Sequence, residues 1–150
     1  MTAPSPTPAR PDNGPRGPRP STRALLRTGV VAGGVAAVTT TLLAAVAVAA
    51  DVDLEVDATA IPVAAFAWWT VLGAALGVVL ARVLPTRGVF VSVALALTAL
   101  SLIPAVALPD DTAASVVLVA AHLVAAAIII PALGRQMPPA SAGDAVLGTR

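Results

Sequence analysis

Four long uncharged runs, each fenced by charged residues, constrain this chain more than any other feature. Twenty-three uncharged residues separate Arg27 from Asp51, and further runs cover 58–81, 88–109 and 112–134. A bilayer core takes about 20 residues of α-helix. Each run therefore has the length of one crossing, with spans expected at about 28–50, 60–82, 88–108 and 112–134. The expected fold class is all-α: an antiparallel up-down four-helix transmembrane bundle. A soluble domain carries about 25% charged residues, whereas this chain has 11%, with 57% hydrophobic residues and a mean hydropathy of +0.90. Water could not cover so apolar a surface with so few charges, and lipid as the solvent removes the conflict.

The charges are sorted along the chain. All nine basic residues are Arg. Arg10, Arg16, Arg19, Arg23 and Arg27 precede the first run, Arg82 and Arg87 lie between the second and third, and Arg135 and Arg150 follow the fourth. The other two connections hold no basic residue and six of the eight acids: Asp51, Asp53, Glu55, Asp57, Asp110 and Asp111. Positive residues at the ends of spans face the cytoplasm, so the pattern predicts that both termini lie inside the cell (inner, cytoplasmic) membrane. A secretory signal peptide is the rival reading of the first run, with Ala47-Val48-Ala49 resembling a cleavage site. An apolar signal core is about 7–15 residues long, and this run exceeds it.

Residues 1–24 contain seven of the fourteen prolines and lack apolar periodicity. They read as a disordered cytoplasmic tail of polyproline character, either a solvated basic segment near anionic lipid or a ligand for a proline-binding module. Residues 136–150 read as a second, short tail. In the stretch 51–57 (DVDLEVD), acids and aliphatics alternate with period two, which places the acids on one edge of an extended segment. Pro62 suits the first turn of the second helix, with Asp57 or Thr59 as its cap. Pro85-Thr86-Arg87-Gly88 is a tight turn, predicting that the second and third spans are antiparallel neighbours. Pro104 is a point where the third helix can kink, and Asp or Thr near 110–112 can cap the fourth.

Small residues mark packing surfaces. Gly29 and Gly33 form a GxxxG pair whose face continues through Ala37, Thr41, Ala45 and Ala49. Gly73 and Gly77 form another, extended by Ala65, Trp69 and Ala81. Glycine at this spacing lets helix backbones touch, either within the bundle or between two copies. Trp68 and Trp69 fit lipid or interface anchors near the outer leaflet.

Counted from the span boundaries, the bilayer midplane falls near residues 38–39, 72, 98 and 123. Thr39, Thr40, Thr41, Thr70, Thr98, Ser101 and His122, the single histidine, all lie close to it. An ionisable residue within the membrane is a functional hypothesis by default. The layer would bind a small ligand or relay a proton; alternatively, neutral His122 makes a structural hydrogen bond. Asp51, Asp53, Glu55 and Asp57 imitate the first ligand positions of an EF-hand, but Val56 replaces the turn glycine and Pro62 the closing glutamate. The plainer reading is a solvated loop that sets topology.

Catalytic constellations are not evident. With no cysteine, the chain has neither thiolate metal ligands nor thiol chemistry. No P-loop, G-x-S-x-G, H-E-x-x-H or dinucleotide fingerprint occurs. No basic patch interleaved with aromatics points to nucleic acid. The sequence therefore predicts neither an enzyme nor a cofactor. It predicts a scaffold, accessory or envelope-associated membrane protein, whose partners are the bilayer and either another membrane protein or copies of itself. The alternative is a small oligomeric transporter or channel built around the His122 layer.

The order DVDLEV, IPVAAFAWWTVLGAALGVVLARVL, TALSLIPAVA and LVAAHLVAAAIIIPAL resembles a family of small four-span integral membrane proteins of unknown function from actinobacteria. The resemblance covers residues 25–135. It implies a protein of the bacterial cell membrane and brings no assigned catalytic or binding residues.

Overall fold

A computed structural model describes residues 20–56 and 58–139. Four helices dominate it: α1 (Thr22–Ala49), α2 (Val63–Val83), α3 (Arg87–Ala107) and α4 (Thr112–Gly134). Each is long and apolar enough to cross a membrane. A two-stranded antiparallel hairpin, β1 (Glu55–Val56) with β2 (Thr59–Ala60), interrupts the helical order between α1 and α2.

The local chemistry explains where each helix begins and ends. Ser21 caps α1 by accepting a hydrogen bond from the Ala24 N–H at 3.2 Å. The helix therefore starts six residues before the expected lipid boundary at residue 28, inside the stretch assigned to the N-terminal tail. The rest of that tail, 1–19, lies outside the described residues. At its other end α1 closes with a Schellman motif: the Val52 N–H bonds the Ala47 carbonyl and the Asp51 N–H bonds the Val48 carbonyl. Asp51 takes the left-handed conformation, φ 57°, that such a cap requires and that glycine usually fills. Thr86 and Asp111 cap α3 and α4 through their side chains.

Pro62 is the N-cap residue of α2, not a first-turn residue, and it makes no side-chain cap bond. Thr59 is held in β2 instead of capping the helix, and Asp57 lies outside the described residues. Both α3 and α4 continue through an internal proline, Pro104 and Pro131 respectively.

The two ends of the bundle are chemically opposite. At one end, Arg82 Nε donates to Thr22 Oγ1 at 3.2 Å, joining α2 to α1. There too the Arg87 N–H donates to the Pro138 carbonyl at 3.0 Å, tying α3 to the segment after α4. Residues 136–139, expected to be loose, are thus anchored, with Met137 buried; residues 140–150 lie outside the described residues. At the opposite end the Ala58 N–H donates to Asp110 Oδ2 at 2.9 Å, and Val56 pairs with Pro109. Arg23, Arg27, Arg82, Arg87 and Arg135 lie at or near the first end, and Asp51, Asp53, Glu55, Asp110 and Asp111 at the second.

α1 packs chiefly on α2 and α4, and α3 leans on α4. Among the substantial helix pairs, α2 with α3 is the least engaged. Adjacency in sequence therefore did not make these two helices close neighbours. Leu84 and Thr86 are both extended around Pro85, which lets α3 swing toward α4. There a Cβ at Gly134 would sit 3.7 Å from Val91 Cγ2.

Two apolar clusters fill the interior. Leu25, Ala36, Ala74, Ala81, Phe90, Ile129, Leu133 and Met137 form one toward the arginine end. Ala44, Leu54, Phe66, Ala114 and Ala121 form the other toward the acidic end. Leu54 belongs to the alternating DVDLEVD stretch, so that period-two pattern places an aliphatic in the core between exposed Asp53 and half-buried Glu55. Large apolar side chains cover the outside instead, among them Val30, Leu42, Leu76, Leu100 and Ile103. This inverted arrangement is what lipid as solvent permits. Between helices in hydrocarbon, close packing of small residues holds the bundle, because apolar transfer contributes little.

Candidate functional site

The polar side chains at mid-height do not converge. One pair bridges two helices: Thr40 Oγ1 lies 3.0 Å from Thr70 Oγ1, in the joint between the two apolar clusters. Thr40 also donates to the Ala37 carbonyl at 3.2 Å. Its single hydroxyl hydrogen is thereby committed, so Thr70 donates to Thr40. Thr40 is 1% exposed, which makes this the most enclosed polar contact described within the bundle.

The other members are satisfied within their own helices. Thr39, exposed, donates to the Val35 carbonyl at 2.8 Å. Thr98 donates to Ala94 at 2.9 Å and Ser101 to Thr98 at 2.7 Å, both to backbone carbonyls. His122 Nδ1 lies 2.8 Å from the Leu118 carbonyl, one turn back on α4. A carbonyl can only accept, so His122 Nδ1 carries a hydrogen and donates to it. Thr41 Oγ1 is buried without a hydrogen-bond partner among the described residues.

Chain position alone could not supply the phase of these residues around each helix axis. Serine and threonine in a helix readily bond the carbonyl three or four residues back, and the histidine does the same here. The arrangement links α1 to α2 through one hydroxyl pair and forms no continuous polar path among the described residues.

The packing glycines divide differently from the sequence pattern. A Cβ on Gly33 would come within 2.7 Å of Ala74 Cβ, and one on Gly29 would run into Val78 Cγ2. A Cβ on Gly77 would lie 3.0 Å from Leu133 Cδ1. These three glycines are contact points inside the chain. Gly73 has nothing within 4 Å of a built Cβ and is exposed, as is Trp69 at 68%. The buried face of α2 runs instead through Phe66, Ala74 and Ala81. On α1 the buried line is Gly29, Gly33, Ala36, Ala37, Thr40, Ala44 and Ala47, while Ala45 and Ala49 are exposed. A strict four-residue step drifts around a helix of 3.6 residues per turn, so the extrapolated stripe leaves the interface after about two steps.

In the acidic connection, Asp51 and Asp53 point to solvent. Among the described residues no group of three or more His, Asp or Glu comes together in a way that could hold a metal ion. Asp110 instead serves the fold, holding the Ala58 N–H. Ala58 has φ 55°, a left-handed conformation uncommon for a residue with a Cβ. Trp68 and Trp69 are exposed on α2, at 63% and 68%.

Four apolar helices around a core of small residues, tied at an acidic end and an arginine end, define a polytopic bundle of the membrane-spanning class. The chain belongs to the family of unknown function DUF6069, which matches residues 20–139 and so takes in all four helices. No curated protein and no solved structure matches it.

Proposed function

We propose that this protein is a non-enzymatic accessory or scaffold protein of the bacterial cytoplasmic membrane, inserted with both termini inside. The separation of charge carries the orientation. Five described arginines lie toward one end of the apolar bundle and five described acids at the other, which is the distribution that insertion with the positive end inward favours. Support for the accessory reading is the economy of the interior: apart from Thr41, the hydroxyls of the mid-helix layer and the histidine are spent on their own helices or on one Thr–Thr bond. The outward faces of α1, α2 and α3 are left as plain apolar surface for lipid or for another spanning protein.

Thiol labelling in intact cells tests the orientation without background, because the chain has no cysteine. Asp53→Cys should react with a membrane-impermeant maleimide in intact cells, and Gln136→Cys only after permeabilisation. The reverse pattern would overturn the orientation. For the role, the purified protein in proteoliposomes should conduct or exchange no ions or small solutes, and should co-purify with a stoichiometric membrane partner. A flux that His122→Ala abolishes would replace this reading with a transporter.

A further inference from the structure

A groove runs along the outside of the α1–α4 seam from the arginine end toward the middle of the bundle. Its walls are two stripes with the same chemical gradient. On α1, Arg23, Arg27, Val31 and Val35 recur every four residues; on α4 and the turn just after it, Ile128, Ala132 and Gln136 do so in the antiparallel direction. Each stripe is polar at the mouth and apolar at depth. At about 1.5 Å per residue, Arg27 and Val35 are about 12 Å apart along the axis, close to one leaflet of hydrocarbon.

Among the described residues, the mouth carries positive charge with no carboxylate beside it. Arg23 and Arg27 are exposed, and the described carboxylates all lie at the other end of the bundle. The N-terminus of α1 at Thr22 adds its positive dipole end to the same mouth. An anion held here would meet two guanidinium groups able to bind a phosphate in bidentate fashion. Beyond Thr28 the trough is aliphatic, with Val31, Val35 and Ile128 on its walls and Ala32 as its floor. A free phosphate would use the mouth and leave the trough to generic lipid. An anionic lipid uses both.

We propose that this groove binds one anionic glycerophospholipid, its phosphate held by Arg23 and Arg27 and one acyl chain lying in the trough between α1 and α4. The site rests on insertion of the bundle in a bilayer and not on the direction of insertion or on an accessory role. A peripheral basic patch would attract any anionic surface; the matched depth of the two stripes instead selects a single two-part ligand.

The test uses the full chain, released from nanodiscs of equimolar phosphatidylcholine and phosphatidylglycerol into native mass spectrometry. Wild type should retain one phosphatidylglycerol per chain in preference to phosphatidylcholine. Arg23→Gln/Arg27→Gln should lower that preference about thirtyfold, given the usual contribution of an arginine beside anionic lipid. Val31→Trp, which fills the trough from a wall residue that is already exposed, should lose the retained lipid with both arginines in place. Arg82→Gln/Arg87→Gln should behave as wild type. Helical circular dichroism matching wild type confirms that each variant is folded. Equal retention of the two lipids by wild type, an equal loss in the Arg82/Arg87 variant, no effect of Val31→Trp, or an inorganic phosphate adduct replacing the lipid would each overturn the proposal. Retention of zwitterionic lipid alone would leave membrane insertion standing while removing the site.

Discussion

Thr40 and Thr41 are neighbours with the same side chain, yet their hydroxyls have opposite energetic roles. Thr40 accepts from Thr70 and donates to a carbonyl; Thr41 Oγ1 is enclosed with no partner among the described residues. An interhelical hydrogen bond in a membrane contributes on average about 0.6 kcal/mol, whereas an unsatisfied buried hydroxyl costs about 1–3 kcal/mol. Valine has nearly the shape of threonine without the hydroxyl. Thr40→Val is therefore expected to destabilise the bundle by about 0.5–1 kcal/mol by removing the bond and leaving Thr70 without its interhelical acceptor. Thr41→Val is expected to stabilise it by about 1 kcal/mol. Detergent-micelle unfolding by SDS titration measures both, and a loss of stability in Thr41→Val would show that its hydroxyl has found a partner. His122→Ala removes a bond within α4 alone and should cost less than about 1 kcal/mol by the same assay.

Between helices, the contact that matters most is Gly33 against Ala74. The Ala74 Cβ is fixed to its backbone, so no rotamer change makes room for a side chain at Gly33, and α1 and α2 would have to separate. Gly33→Leu should cost at least about 2 kcal/mol. Gly73 is exposed and a Cβ there would have nothing within 4 Å, so Gly73→Leu should gain up to about 0.8 kcal/mol from helix propensity. Equal losses in the same SDS titration would place Gly73 in an interface, for instance between two copies. The sequence could not make this distinction, because both glycine pairs carry the same spacing and all four helices are apolar on every face. Span number and approximate limits were legible because charges cut the apolar runs. Rotation of each helix was not, because lipid-facing and core-facing positions are both aliphatic and differ mainly in size. The preference of α3 for α4 was hidden for a related reason: a short connection limits distance but does not choose among surfaces of similar composition. For the polar residues, chain position suggested a common depth but not a partner. The choice of partner depended on the missing rotation, and local carbonyls won for Thr39, Thr98, Ser101 and His122.

At the scale of the whole molecule, the charge pattern is redundant, and that redundancy predicts how the proposed orientation responds to mutation. Arg10, Arg16, Arg19, Arg23 and Arg27 precede the first span, Arg82 and Arg87 follow the second, and Arg135 follows the fourth. The connections at the other end contain acids and no arginine. Orientation follows the summed bias of basic residues close to span ends, and acidic residues contribute little to it. Arg82→Gln/Arg87→Gln should leave the Asp53→Cys labelling pattern intact, because five arginines still precede the uncharged run that begins at residue 28. Neutralising those five alone should also leave it intact, since the α2–α3 turn and Arg135 keep the same sign of bias. Neutralising both groups removes seven of the nine basic residues and leaves Arg135 as the one basic residue adjoining a span. The population should then divide, with Gln136→Cys becoming partly reactive in intact cells. A complete flip after losing Arg82 and Arg87 alone would mean that the middle turn sets the insertion, and that the N-terminal arginines serve lipid binding without directing topology.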